Sequence, residues 1–252
     1  MIRYHSYVCI LALFFLSCKD KKTKEVTPQP EPVPASMVVF SFNAVVDKAV
    51  LTPTTGYYFN ESGDQYSITK FNYYISNISL SGDGTTFTEP ESYHLIKHCD
   101  GLTAFTLAAV NPGTYTKIRF LIGVDSLRNV TGAQTGALDP VNQMFWEWSS
   151  GYIFYKLEGT FVSKNNPIED VYNIHVGGFK GADNCLRWVE ITLPAPLLVD
   201  GTTRTIKFNT NVAEIFRSPQ IIGFDNYYPI VNSIFPKLAS NYSDMFSVKG
   251  IE

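Results

Sequence analysis

Residues 66–80 read YSITKFNYYISNISL, and the alternation in this run decides the fold class. Ile68, Lys70, Asn72, Tyr74, Ser76 and Ile78 fall on one parity, and Thr69, Phe71, Tyr73, Ile75, Asn77 and Ser79 on the other. A period of two among β-branched and aromatic residues predicts a strand, because successive side chains point to opposite faces. Ser81-Gly82-Asp83-Gly84 then turns the chain. Working outward, residues 38–46, 92–97, 103–109 and 114–123 repeat the pattern, the last two joined by Asn111-Pro112-Gly113. Residues 151–162, 171–176 and 186–193 follow, with 203–209 expected as the final strand. Helix signals are few. A short helix is expected over 211–216, and another begins at Pro236, with Leu238, Tyr242 and Phe246 at spacing four forming one apolar stripe. Many short strands separated by Gly and Pro turns predict an all-β chain, an antiparallel β-sandwich with a short C-terminal helix. No second linker or internal repeat divides it, so one domain over 37–252 is expected.

Composition agrees. Of 252 residues, 45% are hydrophobic and 17% charged, enough for a sizeable core. The 18 Phe and 15 Tyr favour strands over helices. A net charge of -3 gives no basic face for nucleic acid, which is excluded as a partner.

The N-terminus carries a targeting pattern. Arg3 precedes an apolar run at 7–16, YVCILALFFL, too short for the roughly 20 residues of a spanning helix. It ends in Phe15-Leu16-Ser17-Cys18, which resembles a bacterial lipobox. Residues 1–17 are therefore expected to be a lipoprotein signal peptide, with Cys18 lipidated. Residues 18–36 are the tether, in which Pro28, Pro30, Pro32 and Pro34 favour extended polyproline II. The expected location is the cell envelope, anchored to a membrane by lipid, with the outer membrane facing the periplasm, or the cell surface, as the default.

With Cys9 in the signal and Cys18 lipidated, Cys99 and Cys185 remain, and in an oxidising compartment they are expected to form a disulfide worth about 4 kcal/mol. Two free buried thiols, or a thiolate metal site, are the alternatives. Motifs of enzymatic chemistry are missing: no G-x-S-x-G elbow, no phosphate loop, no H-E-x-x-H and no C-x-x-C. The chain is expected not to be an enzyme. Outside the signal the histidines are His94, His98 and His175. On one straight strand, His94 and His98 share a face but stand about 13 Å apart, too far to bind one ion. His175 ends the run VYNIHV just before Gly177-Gly178, with Tyr172, Ile174 and Val176 expected to face the core and Asn173 and His175 to face away. Trp146 and Trp148, two apart, are expected on one face of a strand as core, or else as an aromatic platform for sugar.

The run GVDSLRNVTGAQTGALDPVNQMFWEWSSGYIFYKLEG, residues 123–159, resembles the signature of the MbnP-like family of exported bacterial copper-binding proteins. SITKFNYYISNISL, SYHLIKH and YNIHVGGFKG resemble, in family order, the form it takes in Bacteroidetes-type lipoproteins, and NYSDMF matches more weakly. The resemblance implies a β-sandwich that binds copper. In some members a partner diheme enzyme oxidises a tryptophan to kynurenine, which joins histidines at the metal. Carried over, it implies His175 and then His94 as copper ligands, Trp146 or Trp148 as the modified or site-lining residue, and a diheme oxidase-type partner; His98 is the reserve candidate among the remaining histidines. Neutral imidazole suits copper. The departure is that no histidine flanks Trp146-Glu147-Trp148 here. The competing expectation is a lipoprotein that kept the fold without the metal and binds glycan or a partner protein.

Overall fold

The computed structural model describes residues 35–132, 134–147, 150–226 and 234–252; the signal segment, Cys18 and nearly all of the tether lie outside the described residues. In chain order the first strands are β1 (Ser36–Val46), β2 (Ala49–Val50), β3 (Tyr57–Phe59), β4 (Gln65–Ser67), β5 (Lys70–Gly82), β6 (Thr85–Thr88), β7 (Tyr93–Lys97), β8 (Ala104–Val110) and β9 (Gly113–Ile122). A short helix, α1 (Ser126–Asn129), precedes β10 (Phe145–Glu147), β11 (Gly151–Ser163), β12 (Asn166–Gly177), β13 (Arg187–Val199) and β14 (Arg204–Asn211). Helix α2 (Phe235–Tyr242) and β15 (Phe246–Ile251) close the chain.

Among the described residues the strands form a sheet of five and a sheet of ten. The smaller runs β15-β14-β1-β2, with β8 on the free edge of β1; its β1–β14 pair is parallel, the other pairings antiparallel. The two inner faces meet in an aromatic core. Phe42 stacks on Phe208 at 4.7 Å within the small sheet and meets Tyr73 of the large sheet edge-on at 6.3 Å. Phe246 bridges to Tyr73 and Phe120 at 5.5 and 5.1 Å. Each such ring, fully buried, contributes about 1.5–3 kcal/mol.

β5 is the hub of the large sheet. One edge pairs with β7 and β6, and the other with β11 over Lys70–Tyr73 and then with β9 from Ile75. β9 and β11 thus follow one another along the same edge. Between them, residues 137–144 lie across the outer face before β10 rejoins the sheet beside β11. Tyr74 and Tyr152 donate from that face to Ala137 O and Leu138 O, both at 2.8 Å. This cover is why both parities of β5 are buried from Phe71 to Ser76. Asp125 caps α1, accepting from the N–H groups of Leu127 and Arg128, and also takes hydrogen bonds from Asn77 and Tyr93. Burial works against its charge, but these donors outweigh it and hold its pKa below the ordinary carboxylate value.

Several elements differ from the sequence reading. The 66–80 run is interrupted after Ser67, where Tyr172 donates its hydroxyl to Ser67 O. Its alternation also flips at Asn77: this residue sits at φ 53, the register shifts between Ser76 and Ser79, and Ile78 and Leu80 become the buried positions. β13 continues past Leu193 through Pro194 and Pro196, and its register with β9 shifts between Thr192 and Leu197, where the prolines have no N–H to donate. Phe246 belongs to β15 rather than to the helix, and β15, not residues 203–209, is the last strand. The short helix expected over 211–216 is a 3-10 turn, Val212–Phe216, capped by Asn211.

Candidate functional site

The three histidines occupy different surroundings. His94 pairs with Ile75, whose side chain is in the core, so it points inward at the edge of the sandwich. Its ring lies 3.7 Å from Phe105 of the small sheet, at 8°, and Nε2 meets both carboxylate oxygens of Glu89 at 2.8 and 3.0 Å. His98 opens the 3-10 turn after β7, stacked on Phe71 at 4.8 Å with Nε2 3.1 Å from the Tyr73 hydroxyl. Burial lowers its pKa to about 3, so the imidazole is neutral.

His175 is on the other side of the sheet. Tyr172, Ile174 and Val176 are fully buried and His175 faces away from them, as the alternation predicts. Register places His175 opposite Lys156, Lys156 opposite Asn72, and Asn72 opposite Lys97, one row across the outer face. His175 Nε2 is 2.8 Å from Glu158 Oε1. Burial, outweighing the Glu158 bond, lowers the His175 pKa; on Glu158, the bond from His175 and the charges of Lys70 and Lys156 outweigh burial and lower the carboxyl.

The expected His94–His175 metal site is therefore corrected: the two imidazoles point to opposite faces of one sheet and cannot meet at one ion. His98 cannot complete such a site, since its Nε2 faces Tyr73 inside the aromatic core. No group of three or more His, Cys, Asp and Glu able to hold a metal occurs among the described residues. Each of His94 and His175 offers one nitrogen beside one carboxylate, Glu89 and Glu158 respectively. The expected disulfide is corrected as well, because Cys99 and Cys185 are both free thiols. Cys99 is fixed beside Phe71 in the turn after β7, and Cys185 is held on the β12–β13 connection by its N–H to Gly178 O and by Tyr242, which donates to its carbonyl. Burial pushes the Cys185 thiol up to about 12, away from thiolate chemistry.

Trp146 is not core. β10 pairs Phe145 with Tyr152 and Glu147 with Gly151, leaving Trp146 as the extra residue of a bulge that turns its indole outward. The side chain is 39% exposed and lies over Gly177, where a Cβ would come within 2.6 Å of indole Cζ3. Phe235, at the start of α2, is nearly parallel to it, 12° apart with centroids at 6.4 Å. Both rings line an open groove of about 630 Å³, bordered also by Phe179, Glu147, Lys180 and Asp183. Trp148 lies outside the described residues. The sequence reading missed Phe235 and Phe179, which are far from Trp146 along the chain; Gly177-Gly178 was the one signal pointing there. It also missed the lysines beside His175, although Lys70, Asn72, Lys156 and Glu158 are polar positions next to large apolar ones on their strands.

These features define a two-sheet β domain with an open aromatic groove where β10 and the end of β12 meet the start of α2. The chain belongs to the MbnP family, whose model matches residues 35–233. Among solved structures it is similar to MbnP from Methylosinus trichosporium, with a TM-score of 0.55 and 15% sequence identity over 84% of this chain and 97% of that one, a likeness of fold. The comparison with curated proteins returned no match.

Proposed function

We propose that this chain is an exported, lipid-anchored binding protein, not an enzyme, and that its ligand is a sugar ring held against Trp146. The observation that carries the reading is the groove: an exposed indole beside Phe235, with Glu147, Lys180 and Asp183 at its border. A flat apolar ring face stacks on indole, and carboxylates and an ammonium group at the rim suit hydroxyls. Export and anchoring rest on the signal-like run at 7–16 and on Cys18; the proposed location is the outer membrane, facing the periplasm or the surface. Cys18→Ala should release the protein from the membrane fraction, and a variant that stays membrane-bound would refute the anchor.

Copper is the competing ligand. The observation favouring it is that His175, outward-facing and with its pKa lowered by burial, is two residues before Gly177, the residue Trp146 covers. A diheme oxidase-type partner belongs to that reading and would leave a mass change on Trp146 or Trp148. One set of calorimetric titrations on the purified full-length chain separates the two. Saturable heat with a mono- or oligosaccharide, lost in Trp146→Ala and Phe235→Ala, supports the sugar reading. No sugar binding, with near-stoichiometric copper retention abolished in His175→Ala, would replace it.

A further inference from the structure

A second pocket lies on the outer face of the larger sheet, along the row that starts at His175. Lys156, Asn72 and Lys97 are direct cross-strand neighbours, and Lys70 is two residues before Asn72 on β5. Residues 141–144 roof the row: Lys156 Nζ donates to Gln143 O at 2.6 Å, Lys97 Nζ donates to Asn142 Oδ1 at 3.2 Å, and Asn72 Nδ2 reaches the Met144 sulfur at 4.0 Å. The space enclosed is about 170 Å³, room for about five waters or the five heavy atoms of a phosphate. We propose that this pocket binds a small protonated oxyanion of the phosphate class, held by Lys70, Lys97, Lys156 and Asn72.

Two independent observations carry the assignment. The first is charge. Three ammonium groups line the pocket with one carboxylate, Asp100. Glu158 is the nearby counter-charge, and it is already divided among Lys70 at 3.5 Å, Lys156 at 3.8 Å and His175 at 2.8 Å. Lys156 is almost wholly buried, and gathering cations there without an anion works against the charge on each. Burial first, and then the neighbouring Lys70 and Lys97, act to lower the Lys156 pKa against the pull of Glu158. The second observation is Asn72. This residue is 3% exposed and lines the pocket, yet its Oδ1 has no hydrogen-bond partner among the described residues. A buried unpaired carbonyl oxygen costs about 1–3 kcal/mol and calls for a donor from the occupant. Hydrogen phosphate supplies both needs: its P–OH donates to Asn72 Oδ1 and its remaining oxygens accept from the lysines. Sulfate has the shape and charge but no proton for Asn72.

The pocket is separate from the Trp146 groove, so this inference stands apart from the sugar reading. The test is titration of the purified full-length chain with inorganic phosphate, followed by calorimetry and by phosphorus NMR. Saturable binding at millimolar phosphate is expected, with sulfate weaker. Lys70→Gln and Lys97→Gln, both at part-exposed positions that should keep the fold, are each expected to weaken binding about tenfold, the worth of a charge-assisted hydrogen bond. Lys117→Gln, on an exposed ion pair with Glu190 away from the pocket, should leave affinity unchanged. Circular dichroism checks the fold of each variant. No saturable phosphate binding to the wild-type chain, or equal losses in Lys117→Gln and the pocket variants, would overturn the assignment. Sulfate binding as tightly as phosphate would overturn the role given to Asn72.

Discussion

Replacing His98 with glutamine should remove a specific part of this protein's sensitivity to acid. In the fold the imidazole is stacked on Phe71, its Nε2 meets the Tyr73 hydroxyl, and burial depresses its pKa from 6.5 to about 3. In the unfolded chain the group titrates normally, near 6.5. Below that value the unfolded chain takes up a proton that the folded chain refuses. The stability tied to neutral His98 is therefore whole above about pH 6.5 and is lost progressively as the pH falls toward 3. Each pH unit in that window is worth about 1.4 kcal/mol, so by pH 5 the full shift would remove about 2 kcal/mol; some solvent access at this edge position lowers that to about 1–2 kcal/mol. Glutamine can still reach Tyr73 but does not titrate. The assay is urea unfolding of the wild type and His98→Gln at about pH 7 and pH 5. Other acid-sensitive groups, His175, Glu158 and Asp125 among them, are common to both proteins and cancel in the difference. The wild type should lose about 1–2 kcal/mol more than the variant on acidification. Equal losses in the two proteins would show that His98 is not held neutral by its surroundings.

Three further outcomes follow from the packing. Gly159→Ala should destabilise by about 2 kcal/mol or more, measured by thermal unfolding, because a methyl there collides with Ser67 O and approaches the Tyr172 hydroxyl to 2.9 Å. An unchanged Tm would refute the close approach of β4 to β11. Asp125→Ala removes the cap of α1 together with the anchor for Asn77 and Tyr93, at about 2–3 kcal/mol in urea unfolding; a cost under about 0.5 kcal/mol would refute the shared role. Reductant should leave Tm unchanged, and alkylation of the unreduced, unfolded chain should label both Cys99 and Cys185. A Tm that falls on reduction would restore the disulfide.

Local pattern carried a large part of this fold. Alternation in residues 66–80 and 151–162 was enough to predict strands, and it correctly turned His175 outward, because side-chain parity is a property of one strand. The same logic failed where two strands bargain over register. Asn77 takes a left-handed conformation that flips β5, and Trp146 is ejected by a bulge set by the Phe145–Tyr152 pairing. Neither can be read from the residue alone. Parity also could not say that residues 137–144 cover the outer face, so Asn72 and Lys156 look like solvent positions in the sequence and are buried in the fold.

Sequence by itself determined the all-β class, the signal-like N-terminus and the family resemblance, since each depends on residue types at short spacing. It also supplied the inventory of histidines and cysteines from which any metal site or disulfide would have to be built. Only the tertiary structure decided which of them meet. Sheet order and pairing placed His94 and His175 on opposite faces, left Cys99 and Cys185 as separate thiols, and brought Trp146 to Phe235 and Lys70 to Lys97 and Lys156. The physical reason is that long-range pairing is fixed by burying one continuous core, so the partners of an outer-face residue are chosen by how the inner face packs.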